Sequence, residues 1–346
     1  MTLPSPRITS PTAVPPLRWG IIGAGWIASR FAGALHAHTP QRVVAVSARN
    51  PQRLAKFSTE HAIGSTYADP SALIADPQVD IVYVATPHSS HHRYALEVIA
   101  AGKHVLIEKP IATTAADAQE IVDAARAAGV FAMEAMWTRY LPQTDILRQL
   151  IEEGALGRIQ QVTADFGGVV EYAPDGRMWN PQLAGGALLD MGVYPISFTS
   201  MVLGAPERVT ATGITGPDGV DLRATALLEF GGNTDAVVTT SLISPLPVRA
   251  SVSGSAGRAE IHSPFFAPSG ITYFPAEDGK EVEEWTDTTF ADLHEGLFYQ
   301  AVAVAEYIGE GRHESPLHTL DETVSIIATI DRIREQLRFV EVADYV

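Results

Sequence analysis

The chain has 346 residues, a formal net charge of −16 and no cysteine. This length exceeds what one compact core holds, so it predicts two domains. A hydrophobic content of 46% excludes a disordered chain. The negative charge argues against nucleic-acid binding. The lack of cysteine excludes disulfides, zinc–thiolate sites and cysteine nucleophiles, and no apolar run reaches the roughly 18 residues of a membrane span.

The first 17 residues are rich in Pro, Ser and Thr. They lack the apolar core of a signal peptide and contain no twin arginine. We predict a flexible tail at 1–17 on a cytoplasmic protein that does not bind membranes.

Strand and helix patterns alternate through residues 18–135. VDIVYVATP is a continuous apolar run, as in a strand that is buried on both faces of a parallel sheet. TTAADAQEIVDAARAAG has Thr and Asp near its start and Gly129 at its end, which is typical of a helix. The alternation predicts a right-handed parallel α/β domain.

The pattern changes after about residue 136, where short strands follow one another with turn signals between them. GPDG (216–219), GGN (231–233) and EDGK (277–280) predict hairpins. We predict a largely antiparallel sheet, closed by the helix pair GLFYQAVAVAEYIGEG and TLDETVSIIATIDRIREQL. One face of this sheet would carry helices and the other a partner.

A glycine turn, Gly23-Ala24-Gly25-Trp26-Ile27-Ala28, fits the dinucleotide pattern G-x-G-x-x-A. Gly23 permits the tight turn, Gly25 lets a pyrophosphate approach the backbone, and Ala28 allows close helix–strand packing. The turn follows a strand and opens a helix, so the sequence favours dinucleotide binding over a purely structural turn.

The second strand ends in Ser47-Ala48-Arg49-Asn50, without the acid that usually binds a ribose 2′-hydroxyl. Ser47 and Arg49 suit a 2′-phosphate, with Arg53 as a second charge, which predicts NADP(H) over NAD(H). The alternative is a solvated loop arginine.

Two polar segments, TPHSSHH and EKP, follow the next apolar strands, and we expect both at the same edge of the sheet. In TPHSSHH, we expect one or two of His88, His91 and His92 to line the cofactor cleft, since no third ligand supports a metal. Lys109, in Glu108-Lys109-Pro110, is either an exposed lysine before a turn proline or a cation in the crevice. There it would favour the anionic form of a nearby phenol.

GGALLDMGVYPI (185–196) places Asp190 and Tyr194 four residues apart, on one face of a helix. Pro195 predicts either a kink or a first-turn position for Tyr194. The stretch is either a half-buried helix with a core tyrosine or a proton-transfer device. Because Asp190 would raise the pKa of the phenol, we expect it to point at substrate or at Lys109.

These motifs together resemble the glucose–fructose oxidoreductase / inositol dehydrogenase (Gfo/Idh/MocA) family. Three further segments are similar to its dimeric dihydrodiol dehydrogenase and pyranose dehydrogenase branch, which is also glucose–fructose oxidoreductase-like. They are MEAMWTRYLP (133–142), RMWNPQLAGGALLDMGVYPI (177–196) and GLFYQAVAVAEYI…ESPLHTLDET. Many members have histidine where this chain has Tyr194, and the tyrosine fits that branch. The likeness covers nearly everything after residue 17.

The resemblance implies an N-terminal Rossmann domain (18–135) and a C-terminal α+β domain (136–346) with a large open, mostly antiparallel sheet. It implies that Lys109, Tyr194 and Asp190 are catalytic. Substrate would meet Trp137, Phe166, Asp190 and Tyr194. The predicted cofactor residues are Gly23, Gly25, Trp26, Ile27, Ser47, Arg49, Arg53, Thr86, His88, His91, Glu108 and Lys109.

We therefore predict a metal-free, NADP-dependent oxidoreductase. Hydride would pass between the nicotinamide and a sugar, sugar derivative or related cyclic alcohol or diol, with Tyr194 as general acid/base assisted by Lys109. We expect a homodimer or a dimer of dimers, packed through the second sheet. The alternatives are a non-catalytic NADP-binding sensor or scaffold, and an epimerase or glycosidase that uses bound cofactor transiently.

Overall fold

The computed structural model describes residues 3–216, 218–290 and 292–339. They form two compact units. The parallel-sheet unit consists of Thr9–Trp137 and Asp292–Val324. The large-sheet unit consists of the described residues of Met1–Ile8, Thr138–Ala291 and Ser325–Val346.

Helices and strands follow the predicted alternation closely. The helices are α1 (Trp26–His38), α2 (Pro51–Glu60), α3 (Pro70–Ile74), α4 (His91–Ala100), α5 (Ala115–Ala128), α6 (Pro142–Glu152), α7 (Val193–Leu203), α8 (Phe298–Gly309) and α9 (Leu320–Arg334). The strands are β1 (Arg18–Ile22), β2 (Arg42–Ser47), β3 (Ser65–Tyr67), β4 (Ile81–Val84), β5 (His104–Glu108), β6 (Ala132–Ala135), β7 (Ile159–Gly167), β8 (Arg208–Thr215), β9 (Asp221–Phe230), β10 (Thr234–Ser241), β11 (Ala250–Gly254), β12 (Gly257–Ile261), β13 (Gly270–Pro275), β14 (Glu283–Thr286) and β15 (Arg338–Phe339).

The parallel-sheet unit contains a six-stranded parallel sheet in the order β3-β2-β1-β4-β5-β6. All four residues of β4 are buried, as its apolar sequence predicts. The chain leaves β1 for β2 on one side and returns to β4 on the other, so the strand order reverses beside β1. Such a reversal opens a crevice at the carboxyl ends of the strands, where ligands bind. The predicted Rossmann fold is confirmed.

The large-sheet unit contains a nine-stranded sheet in the order β14-β13-β12-β11-β7-β10-β9-β8-β15. It is antiparallel except at the β7–β10 and β8–β15 pairs, which confirms the mostly antiparallel prediction. Helix α7 packs on β7 and β10 near the centre of the sheet. Burial alternates along β10, so one face of the sheet is covered by this unit and the other is more exposed.

Residues 292–324 belong to the parallel-sheet unit, whereas we predicted everything after residue 135 to form the second domain. Helix α8 packs on α1, and most of its residues are buried. Gln41 donates from its amide to the carbonyl of Ala301 at 3.2 Å, and the amide of Ala132 donates to the carbonyl of His313 at 3.0 Å. A helix that is apolar all round needs cover on every side, and its sequence does not say which sheet supplies it.

The segment that we predicted as a flexible tail has no helix or strand at residues 3–17, but parts of it are anchored. The Arg7 guanidinium donates to Asp145 at 2.9 Å and to Glu152 at 3.0 Å. Val14 and Leu17 are buried. The segment is therefore not a free tail. Its composition could not predict this, because the carboxylates that bind Arg7 lie far along the chain. Residues 1, 2 and 340–346 of the predicted domains, and part of the predicted turn at 216–219, lie outside the described residues.

The stretch Pro181–Leu203 passes a length-and-hydropathy test for a membrane span, and 72% of its apolar window is buried inside the protein. No unbroken apolar run occurs there because Gly, Ser and Asp interrupt it.

Candidate active site

The glycine turn lies between β1 and α1. Gly23 has a φ of 110°, and a Cβ at this position would overlap the carbonyl oxygen of Ala85. Gly25 precedes the first residue of α1, and no atom lies within 4 Å of the place where its Cβ would be. Ala28 is fully buried against the sheet. The turn therefore leaves open space before a helix N-terminus, which fits a dinucleotide pyrophosphate.

The carboxyl end of β2 presents one buried hydroxyl and two exposed arginines. Ser47 is fully buried, and its Oγ has no hydrogen-bond partner among the described residues. Arg49 and Arg53 are exposed. Asn50 caps α2 by accepting from the Arg53 amide at 2.9 Å, which sets the start of that helix. An unsatisfied buried hydroxyl beside a strand end is what a ligand hydroxyl or phosphate would complete.

The carboxyl end of β4 carries Thr86 and the histidines. The Oγ1 of Thr86 is buried and has no partner in the described part of the chain. His88 is 5% exposed, and its ring lies 5.6 Å from that of His91. His92 is on the surface, 2.9 Å from Glu120. Among the residues with described positions, no group of three or more His, Asp or Glu side chains is arranged to hold a metal ion.

His91 is fully buried and lies between two loops of the parallel-sheet unit. Its Nδ1 is 2.8 Å from the carbonyl of Pro110, and its Nε2 is 2.9 Å from the carbonyl of Thr86. Burial lowers the pKa of this imidazole, and the two carbonyls oppose the shift because they favour the protonated form. The side chain ties the loop after β4 to the loop after β5. A direct contact of His91 with cofactor stays a prediction.

Lys109 is half-buried at the end of β5, where two buried glutamates hold the backbone of the segment. The Oε2 of Glu108 accepts from the Lys109 amide at 3.0 Å, and its Oε1 accepts from the Tyr83 hydroxyl. The Oε1 of Glu134 accepts from the Ile111 amide at 2.8 Å. Glu108, which we predicted at the cofactor, is thus 6% exposed and binds the protein's own backbone.

Sequence reasoning missed the buried network around Glu134. Its Oε2 lies 2.8 Å from the Nε2 of His318, and the Thr323 hydroxyl donates to the same oxygen at 3.3 Å. The side chains of Glu134 and His318 are fully buried. The signal was a glutamate within the apolar strand VFAMEAM, because a buried charge requires a partner.

Trp137 is buried in the parallel-sheet unit and stacks on His294 with ring centroids 6.0 Å apart. His294 also meets Trp26 of the glycine turn edge-on at 4.7 Å. The Trp26 ring is 60% exposed and lies under the Arg30 guanidinium. His294 was not predicted. It joins the glycine turn to Trp137 in one aromatic cluster.

In the large-sheet unit, Asp190 lies in a π-helical turn, Leu188–Gly192, that runs into α7. Tyr194 is the second residue of α7, so Pro195 falls in the first turn, one of the two positions that we expected. Tyr194 is 6% exposed. Its ring lies 5.6 Å from Phe166 and 5.1 Å from Phe266, and the two phenylalanines stack at 4.4 Å.

Asp190 forms an ion pair with Arg177, which sequence reasoning did not single out. The Nη1 of Arg177 lies 3.0 Å from the Oδ1 of Asp190, and the side chains are 43% and 16% exposed. We expected Asp190 to face substrate or Lys109, and the structure adds this guanidinium as a partner.

A parallel sheet with this glycine turn, and with buried hydroxyls at its strand ends that lack partners among the described residues, is typical of a dinucleotide-binding protein. Family models agree. Residues 17–136 match the oxidoreductase family with an NAD-binding Rossmann fold, and residues 145–260 match the GFO/IDH/MocA C-terminal domain. The chain belongs to the Gfo/Idh/MocA oxidoreductase family and is an oxidoreductase acting on CH–OH groups.

Similar proteins include trans-1,2-dihydrobenzene-1,2-diol dehydrogenases. Those of Macaca fascicularis and Homo sapiens are 35% and 34% identical over 325 residues, which cover 93% of this chain and 97% of each relative. A 3-ketoreductase from Actinomadura kijaniata, solved with NADP and TDP-benzene, superposes with a TM-score of 0.82 at 26% identity, covering 94% of this chain and 99% of that one. A levoglucosan dehydrogenase with NADH and levoglucosan has a TM-score of 0.84 at 20% identity, over 92% and 96% of the chains.

Proposed function

We propose that this protein oxidises a hydroxyl of a sugar, sugar derivative or cyclic diol, and reduces the product in the reverse direction, with NADP(H). The observation that carries the proposal is the Tyr194 phenol, held among aromatic rings on the helix that also carries Asp190. The dihydrodiol dehydrogenases, at about 35% identity over nearly the whole chain, support the substrate class.

Tyr194 acts as general acid/base: its phenolate takes the substrate hydroxyl proton during oxidation, and the hydroxyl that results returns a proton during reduction. A free phenol titrates near 10, so at neutral pH it needs help from a positive charge. Lys109 supplies that charge in our proposal. The pairing rests on chemistry and on resemblance. Solved variants of the related ketoreductase replace a lysine and a tyrosine.

Phe166 and Phe266 form an apolar wall beside Tyr194 that suits the ring of a cyclic substrate and excludes water. Asp190 accepts a hydrogen bond from a second substrate hydroxyl, while its ion pair with Arg177 holds the carboxylate in place. We propose that Trp137 also contacts the substrate.

NADP, when bound, supplies or accepts the hydride. The glycine turn holds the pyrophosphate, and the hydroxyls of Ser47 and Thr86 gain the partners that they lack. Arg49 and Arg53 bind the 2′-phosphate, because neither guanidinium has a hydrogen-bond or ion-pair partner within the described residues. The preference for NADP over NAD follows from this arginine pair and from the absence of an acid at the end of β2.

We propose a cytoplasmic homodimer, or a dimer of dimers, that packs through the exposed face of the nine-stranded sheet. Leu227 of β9 is 38% exposed, and Val237 lies opposite it on β10. Burying such a face in a symmetric contact removes apolar surface from water. Light scattering that shows a stable monomer at micromolar concentration would contradict the dimer.

The test of function is Tyr194→Phe, which keeps the ring and its packing and deletes the proton. We expect kcat to fall by about 10²–10⁴-fold with NADPH affinity unchanged, the range that general acid–base groups contribute. The assay follows nicotinamide absorbance with aldoses, anhydrosugars, deoxyosones and aromatic diols. Phe198→Leu is the control, because this aromatic residue lies further along α7.

Near-full turnover by Tyr194→Phe would show that the tyrosine is structural. Tight NADPH binding with no turnover on any substrate would instead support the sensor or scaffold. Product formation without net change in NADPH would identify an epimerase or glycosidase.

A further inference from the structure

The start of the helix that carries Asp190 and Tyr194 is held by a carboxylate from another strand. Asp221, the first residue of β9, is 3% exposed. Its Oδ2 accepts from the Leu188 amide at 2.5 Å. Asp190 lies two residues further along, and Tyr194 six, so the contact is made at the base of the proposed acid–base helix.

The sequence GGA at the start of this helix has no side chain that can cap it. The first amides of a helix have no intrahelical acceptor and need one from elsewhere. Asp221 supplies it through space: its carboxylate accepts from the Leu188 amide, and burial raises its pKa against the opposing effect of hydrogen bonds from the amides of Leu188 and Ala187. A carboxylate offers two acceptor oxygens, so one side chain can serve two amides.

The surroundings of Asp221 are built for this contact. Val220 and Leu222, its neighbours in sequence, belong to an apolar cluster with Trp179, Ala187 and Leu242. A Cβ on Gly186 would overlap the Oδ1 of Asp221, and this glycine has a φ of 127°. Glycine is the residue that permits both the backbone conformation and the close approach.

Burying the Asp221 carboxylate costs desolvation free energy. Its desolvation raises the pKa of the carboxyl, against the amides and the more distant Arg334. An apolar residue would fill this cluster without that cost. A buried carboxylate at the base of the helix is explained if the position and orientation of the helix matter.

We propose that Asp221 is a positioning residue for catalysis: it fixes the first turn of the helix and, through it, the Asp190 carboxylate and the Tyr194 hydroxyl. This inference rests on the proposed function and deepens it. Asp221 itself moves no proton and contacts no substrate. Its effect is on the geometry of the two groups that do, and small misplacements of reacting groups cost up to about 10²-fold in rate.

The test is Asp221→Asn, which keeps size and shape but leaves one acceptor oxygen for two amides. We expect kcat to fall by about ten- to a hundredfold, the range of a hydrogen bond to a charged group, with a smaller change in KM. The affinity for NADPH, measured by fluorescence titration, stays within about twofold. If Asp221→Asn does not fold, Asp221→Ser replaces it, because serine is also a good N-cap.

A matched control is Asp145→Asn. Asp145 is likewise buried, at 4% exposure, and lies in the first turn of α6, which carries none of the proposed catalytic residues. Loss of its bonds to Arg7 should lower the melting temperature and leave kcat unchanged.

The deciding readout is the double variant with Tyr194→Phe. If Asp221 acts by placing the two groups, Asp221→Asn lowers kcat clearly less in the Tyr194→Phe background than in the wild type, because only the placement of Asp190 is left to lose. An equal loss in both backgrounds would mean general damage and would overturn the inference, as would full kcat in folded Asp221→Asn. Full activity of Tyr194→Phe alone would instead refute the proposed function.

Discussion

We predict that Arg49→Ala weakens the binding of NADP and leaves that of NAD unchanged, which tests the proposed preference for NADP. The guanidinium is exposed at the end of β2, beside the buried Ser47 hydroxyl, and has no partner within the described residues. Only NADP has the 2′-phosphate that this side chain would bind, so NAD affinity should not change.

The size of the effect follows from exposure. Hydrogen bonds to charged groups are worth about ten- to a hundredfold in affinity. Because Arg49 is exposed, salt screens the contact, and we expect a loss near tenfold at about 0.1 M salt that shrinks as salt rises. Arg53, at the start of α2, retains part of the phosphate interaction in the variant.

The control is Arg42→Ala. Arg42 is the first residue of β2 and donates to the carbonyls of Thr39 and Gln41. Its replacement removes the same charge as Arg49→Ala, but from the other end of the strand. The two ends of β2 are about 16 Å apart at 3.3 Å per residue, beyond the Debye length of about 10 Å. Titrations of NADPH and NADH monitored by fluorescence would measure all three proteins. Equal cofactor affinities in the wild type, equal losses in Arg49→Ala, or the same loss in Arg42→Ala would refute the reasoning.

Two stability predictions concern histidines, the buried His318 and the half-buried His36. Glu134→Gln breaks the buried pair with His318 and should lower Tm by about 6–20 °C, since losing one partner of a buried pair costs about 3–5 kcal/mol. Glu120→Gln, at the exposed pair with His92, should leave Tm within about 1 °C, and similar shifts in both would refute the assignment. Burial, with the charges of Arg42 and His61, lowers the pKa of His36 from 6.5 to about 4. As pH falls, the unfolded chain binds this proton before the folded chain does. The contribution of His36 to the free energy of unfolding is therefore fully present above about pH 6.5 and is lost as pH falls toward 4. His36→Gln can still accept from the Val43 amide and should lose less Tm than wild type between those limits, as scanning calorimetry at a series of pH values would show.

Local patterns carried much of the fold. The apolar run of β4, the glycine turn and the turn residues of the second half each encode their own conformation within a few residues. Helix α8 shows the limit of local patterns. Its apolar residues lie on all sides of the helix, so its sequence does not indicate which sheet it packs against.

The site divides in the same way. Gly23, Gly25 and Ser47 follow from spacing along a strand–turn–helix unit. Glu134 and His318 are 184 residues apart, and Asp221 is 33 residues from Leu188, whose amide donates to it. No local sequence pattern links either pair. Asp190 was found through its helix, but its partner Arg177 lies in a loop without periodicity. Long-range polar pairing is a property of the folded chain.

The return of residues 292–324 to the parallel-sheet unit has a consequence for how the chain is made and for how it is recombined. During synthesis on the ribosome, β1 to β6 emerge long before His318. Glu134 therefore lacks its partner His318 until most of the chain has been synthesised. A chimera that exchanges only the first 137 residues separates Gln41 and Glu134 from the segment that satisfies them. An exchange that also carries 292–324 keeps those buried bonds intact and is the natural unit for grafting a new cofactor preference onto this scaffold.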